Sequence, residues 1–263
     1  MRKALPILTL FIALLWGPGD GQSDDFQKGN AAFKKKDYAS ALKEWSALAE
    51  QGHARAQNGL GLLYLNGLGV KVDTDRALKW IQKSANADDP RGQANLGRIY
   101  ARGLGVPKDL KAAVKWFRLA ADQGYANGQV QLGYMFETGQ EVPKSDYSAV
   151  TWYSRAAEQG HTRAQYNLGV MYENGQGVPK DPMIAAKWYW LAAEQGYANA
   201  QFKLGYFYNL GLGVSKNLKT AFKWSKLAAE QKHPNAQFNL GINYQYGQGV
   251  PKNLKTAVKW YRL

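Results

Sequence analysis

The 263-residue chain carries a formal net charge of +14, 45% hydrophobic residues, nine Trp and sixteen Tyr, but no Cys. That apolar content suffices for a buried core. The missing thiols exclude disulfides, a cysteine nucleophile and a lipid anchor on cysteine, so stability must come from packing alone.

The chain opens with the basic "MRK", the apolar run "ALPILTLFIALLW" and the small, polar "GPGDGQSDD". The apolar run is shorter than the ~20 residues a spanning helix needs, so residues 1–21 are expected to be a secretory signal peptide cut after Gly21. Cutting there removes Arg2, Lys3 and Asp20 and leaves a charge of +13. No later stretch is apolar enough to span a bilayer, so an exported, soluble chain without an integral membrane span is expected.

Next comes "GNAAFKKKDYASALKEWSALAEQGH", in which Gly29, Tyr38, Ala41, Trp45 and Leu48 are spaced as in a tetratricopeptide repeat. The resemblance implies a helical hairpin over residues 24–52. The rest of the chain is periodic. Gln57, Gln93, Gln129, Gln165, Gln201 and Gln237 fall 36 residues apart without an insertion, and a Leu and a Gly follow each at fixed distances. The period predicts six units: 53–88, 89–124, 125–160, 161–196, 197–232 and the incomplete 233–263.

Within a unit, Gln57, Leu60, Gly61 and Tyr64 lie at i, i+3, i+4 and i+7, one face of a helix, here termed helix A. Gly67 and its counterparts suit the left-handed residue just past a helix. Asp109, Ser145, Asp181, Asn217 and Asn253 are placed to cap a second helix, helix B, and Pro182 fits its first turn. Gly61 sits inside helix A, where Gly costs ~1 kcal/mol relative to Ala; helix B is expected to approach there through Ala77 and Trp80. One hairpin cannot bury its recurrent Trp alone, so hairpins must stack.

The Gly-x-Gly-Val turns and the 36-residue period resemble the Sel1-like repeat family, a relative of the tetratricopeptide repeats. The resemblance covers Asp24 to Leu263. It implies an all-α, right-handed α-solenoid of helix-turn-helix repeats, one tetratricopeptide-like unit followed by six Sel1-like repeats. It also implies a non-enzymatic adaptor that binds a protein or peptide partner, periplasmic or secreted in a Gram-negative bacterium. Two departures stand out: Glu141 replaces a second turn Gly, and the last unit stops at "VKWYRL", where an uncapped end would invite self-association.

Little else suggests chemistry. The Gly-x-Gly turns lack the Gly-Lys-Ser/Thr of a phosphate loop and the βαβ setting of a dinucleotide fold. His53, His161 and His233 differ by multiples of 36 and so occupy one equivalent position where helix A begins, dispersed rather than clustered. No cofactor, metal or catalytic residue is expected. Lys108, Lys144, Lys180, Lys216 and Lys252 recur after the turns, and Lys79, Lys115, Lys187, Lys223 and Lys259 precede the Trp. Such rows are either a solvated face answered by Asp122, Glu158, Glu194 and Glu230, or a surface for an anionic envelope polymer or lipid headgroup. Nucleic acid is not an expected partner of an exported chain.

Function is better sought where repeats differ. By analogy with tetratricopeptide stacks, helix A lines the concave face, at the positions after the periodic Gln, Gly and Tyr. The first position reads Asn58, Ala94, Val130, Tyr166, Phe202, Phe238, and the second reads Leu62, Arg98, Tyr134, Val170, Tyr206, Ile242. The third reads Leu65, Ala101, Glu137, Glu173, Asn209, Gln245. Tyr134, Tyr166, Phe202, Tyr206 and Phe238 are the candidate partner-binding aromatics, with Arg98 and Arg102 to orient acidic groups. The alternative is that these rings pack between neighbouring helices.

Overall fold

A computed structural model describes residues 24–262. The segment expected to be a signal peptide lies outside the described residues. Among them are fourteen α-helices and no strand: α1 (Asp24–Lys34), α2 (Tyr38–Glu50), α3 (Ala54–Asn66), α4 (Thr74–Asn86), α5 (Pro90–Arg102), α6 (Leu110–Asp122) and α7 (Ala126–Thr138). They continue with α8 (Asp146–Glu158), α9 (Thr162–Asn174), α10 (Pro182–Glu194), α11 (Ala198–Leu210), α12 (Leu218–Glu230), α13 (Pro234–Tyr246) and α14 (Leu254–Tyr261). The odd-numbered helices from α3 onward are helix A of successive repeats. The chain divides into two units, Met1–Pro143 and Lys144–Leu263, so α1 to α7 belong to the first and α8 to α14 to the second.

The caps explain the turns. Every helix A from α3 to α13 ends on a glycine in the left-handed region: Gly67, Gly103, Gly139, Gly175, Gly211 and Gly247, with φ from 66° to 77°. Six residues later Asp73, Asp109, Ser145, Asp181, Asn217 and Asn253 accept backbone N–H bonds and start helix B. The capping residue is itself held by the tyrosine of helix A. Asp181 N–H donates to the Tyr172 carbonyl at 2.9 Å, and Asn253 N–H to that of Tyr244 at 2.8 Å.

The second turn glycine serves a different need. A Cβ on Gly69 would lie 2.8 Å from the Tyr38 carbonyl of α2, and one on Gly213 2.3 Å from the Pro182 carbonyl of α10. The turn of each of these repeats therefore rests on the first residues of the preceding helix B. Glu141 takes the same left-handed conformation, at φ 54°, without a glycine's freedom.

Inside the hairpins one expectation needs correction. Ala77 does approach Gly61, since an added Cβ would come within 3.1 Å of its carbonyl oxygen, but the side chain over the glycine is Ile81 at 2.5 Å and not Trp80. In later repeats the same place is taken by Phe117 over Gly97, Tyr189 over Gly169 and Tyr261 over Gly241. Phe117 and Tyr189 are fully buried, whereas Trp80, Trp116, Trp152, Trp188 and Trp260 are only half-buried. A helix advances about 100° per residue, so a one-residue offset moves the side chain from the rim to the centre of the contact.

The periodic glutamine pins the stack. Gln57 Nε2 donates to the Ala49 carbonyl at 3.1 Å, and Gln201 Nε2 to that of Ala193 at 3.2 Å, satisfying carbonyls at the C-terminal end of the preceding helix B. Gln201 Oε1 then accepts from Gln231 Nε2 at 2.8 Å, beside the end of its own helix B. Buried at 4% exposure, Gln165 and Gln201 carry bonds on both sides of a repeat boundary. That demand explains why Gln recurs where an apolar residue would also fit the face.

The first hairpin is built around Trp45, fully buried against Gly29 and Gly59 and flanked by Phe26 and Phe33. Its connection, residues 35–37, is shorter than the 67–73 connection of the next hairpin. Asp37 caps α2 by accepting from Ser40 N–H at 3.1 Å.

Candidate interaction surface

The helix A positions that vary along the chain divide sharply by burial. In α3 and α5 all but one are sealed: Asn58 and Ala94 are fully buried, Leu62, Leu65 and Arg98 are 3%, 3% and 7% exposed, and Ala101 is half-buried. Arg98 therefore does not stand free on a groove. It lies near a buried polar cluster in which Asp89 caps α5 through Gly92 N–H at 3.1 Å, accepts from Ser84 Oγ at 3.0 Å and pairs with Arg91 at 3.6 Å. Burial, the largest cause, pushes the Tyr125 hydroxyl up to about 12, with Arg91 and Arg98 opposing it. Asn95 Nδ2 donates to Asn58 Oδ1 at 2.7 Å in the same interior. The sequence signal for this cluster is Asp89, an acid at the helix A start where other repeats place His or Tyr.

Arg102, by contrast, is exposed at the end of α5. Tyr134, on α7, is 46% exposed. In the second unit, Tyr166 packs edge-on to Tyr197 at 5.2 Å and against Tyr189 at 5.7 Å, while Phe202 stacks on His233 at 4.7 Å. Both rings are half-buried and help join successive repeats. Tyr206 is 42% exposed, and Phe238 is 58% exposed while touching Tyr261 at 5.6 Å. Thus Tyr134, Tyr206 and Phe238 expose their rings, while Tyr166 and Phe202 spend theirs between helices.

Charge in the second unit is partly paired. Tyr189 donates its hydroxyl to Glu173, and Lys203 Nζ sits 2.9 Å from the same carboxylate. Burial, then that hydrogen bond, raises the Tyr189 pKa, so its hydroxyl stays a donor. Both lysine rows are exposed. Lys144 lies 3.8 Å from Asp146, and Lys226 3.8 Å from Glu230.

The three histidines cap helices. His53, His161 and His233 accept through Nδ1 from Ala56, Ala164 and Ala236 N–H at 3.2, 3.3 and 3.2 Å. Among the described residues no group of three or more His, Cys, Asp or Glu is placed to hold a metal ion, and no helix is long and apolar enough to cross a membrane.

Consecutive capped helix-turn-helix units, pinned by buried amides and exposing tyrosines from helix A, define the α-solenoid class of repeat proteins. The chain belongs to the Sel1 repeat family, whose model matches residues 54–89, 90–125, 126–161, 162–197, 198–233 and 234–263. Sel1 repeat proteins generally act as protein–protein interaction scaffolds.

Solved structures agree. A Sel1 repeat protein from Oxalobacter formigenes is 34% identical, with 92% of this chain and 96% of that chain covered at a TM-score of 0.79. The protein c5321, a protective antigen of uropathogenic Escherichia coli strains with an SLR fold, is 37% identical at a TM-score of 0.78 over 90% of this chain and 52% of that one. The immunity protein Pa5087 from Pseudomonas aeruginosa, 24% identical over 81% of this chain and 83% of that one, shares the fold at a TM-score of 0.56. A search of curated proteins finds no match.

Proposed function

We propose that the chain is a non-enzymatic adaptor of the bacterial envelope, exported by its N-terminal segment, that holds a protein partner on the exposed face of helix A. The observation that carries this reading is the outward register: Tyr134 and Tyr206 expose 46% and 42% of their surface at equivalent positions of two repeats. An exposed tyrosine offers large apolar area at a low entropic cost and a hydroxyl for specificity, which is why such rings dominate binding energy. The surplus of lysines speeds encounter with an acidic partner more than it adds residence time.

The purified chain is used as bait in envelope extract of its host, and the retained species are followed as salt is raised. One protein retained in stoichiometric amount at high salt is expected. Tyr134→Ala and Tyr206→Ala, each with an unchanged melting temperature, should each weaken its capture about tenfold or more. Equal capture by wild type and both variants would refute the adaptor reading.

A second reading rests on the two exposed lysine rows, which fit an acidic polysaccharide or lipid headgroup. It requires release at modest salt and indifference to both tyrosine substitutions.

A further inference from the structure

Repeats five and six form a cavity of about 180 Å³, open to solvent on one side, between α11, α12 and α13, lined by Gly205, Tyr206, Asn209, Ser225, Asn239 and Ile242 among others. Its origin is a missing ring. Helix B normally lays a large side chain across the helix A glycine: Ile81 over Gly61, Phe117 over Gly97, Tyr189 over Gly169 and Tyr261 over Gly241. Over Gly205 that residue is Ser225, whose Oγ is the atom an added Cβ would meet, at 2.8 Å.

The cavity keeps the partner that a hydroxyl on such a ring would use. Tyr189 donates to Glu173 and Tyr261 donates to Gln245, at 2.6 Å, each acceptor lying four residues beyond the glycine under the ring. Where the covering residue has no hydroxyl, at Ile81 and Phe117, the residue four beyond the glycine is Leu65 or Ala101. At Gly205 it is Asn209, a hydrogen-bonding side chain, and the residue across the glycine is Ser225 rather than a tyrosine. Asn239, on the other wall, stands 36 residues after Lys203, whose Nζ supports the Glu173 acceptor at 3.0 Å. Two neutral amides thus replace an ion pair, and each can both donate and accept.

We infer that this cavity binds a phenol ring, the side chain of a tyrosine presented by the protein partner, with its hydroxyl at Asn209 and Asn239. The ring takes the place that Tyr189 and Tyr261 take in the neighbouring repeats. A cavity of ~150 Å³ already admits benzene. Tyr206, 42% exposed at the rim, connects the cavity to the face of helix A. The source of the ring rests on the adaptor reading, whereas the chemistry of the cavity does not.

The test titrates p-cresol, toluene and N-acetyltyrosinamide into the isotopically labelled chain and follows the side-chain amides of Asn209 and Asn239 and the Gly205 N–H by NMR. Saturable shifts are expected with p-cresol and N-acetyltyrosinamide, with toluene about tenfold weaker, the scale of one lost hydrogen bond. Ser225→Tyr should raise the melting temperature and abolish the shifts. Ser225→Phe, which fills the same space without a hydroxyl, should also abolish them and serves if Ser225→Tyr does not fold.

Absent saturation, equal binding of toluene, or shifts that persist in a folded Ser225→Phe would each overturn the phenol site. Binding of p-cresol without N-acetyltyrosinamide would overturn a protein tyrosine in favour of a free phenolic compound. The two readings fail separately. Capture that falls with Tyr134→Ala while the probes do not bind keeps the adaptor and removes the phenol site; bound probes with unaffected capture do the reverse.

Discussion

Replacing Gly97 by Ala in α5 should destabilise the chain, against the usual preference of a helix for alanine. In an open helix the change gains ~1 kcal/mol. Here the new Cβ would lie 2.6 Å from Phe117 Cδ1 and Cε1 and 3.2 Å from the Ala113 carbonyl oxygen. Phe117 is fully buried and the carbonyl is backbone, so neither can move away without shifting a helix. Overpacking of this kind costs about 1–3 kcal/mol. The net expectation is a loss of up to about 2 kcal/mol, measured by urea denaturation followed by far-ultraviolet circular dichroism. The ring is the larger obstacle, so a Phe117→Ala background should turn Gly97→Ala neutral or stabilising, a coupling of about 2 kcal/mol between touching residues. Stabilisation by Gly97→Ala in the wild-type chain, or an equal cost with and without the Phe117 ring, would refute the close-approach argument.

Two further outcomes follow from local chemistry. Burial, the largest cause, holds His161 down at about 4, and protonation would also remove the Nδ1 acceptor that caps α9 and place a cation at a helix N-terminus. Because the folded-state value lies below the unfolded one of about 6.5, its stability contribution is complete above that pH and fades as pH falls towards 4. Wild type should lose about 2 kcal/mol more than His161→Asn between pH 7.5 and 5; parallel pH profiles would contradict the assignment. Glu141→Gly should raise the unfolding free energy by about 0.5–1 kcal/mol, since Glu141 holds φ 54° without glycine's freedom; a lowered denaturation midpoint would show that its side chain supports the turn.

Much of the fold was legible before any coordinates, because the determining interactions are local and repeated. Gly67 to Gly247 end helices, Asp109 to Asn253 start them, and the histidines are dispersed as their spacing requires. The candidate surface was less legible. Arg98, Tyr134 and Tyr206 share a register on helix A, yet Arg98 is 7% exposed and the two tyrosines exceed 40%. Equivalent positions meet different neighbours, and one helical face cannot report how much of it the next repeat covers.

The sequence by itself determined the repeat length, the helices, their caps and the first glycine of each turn, since each depends on residues within one turn of helix or one connection. Tertiary structure alone decided that Ile81, not Trp80, fills the space over Gly61, that Arg98 lies inside, and that Ser225 leaves a cavity beside Asn209. Those outcomes depend on side-chain volume matched across separate helices, which a periodic pattern of apolar and polar residues does not encode.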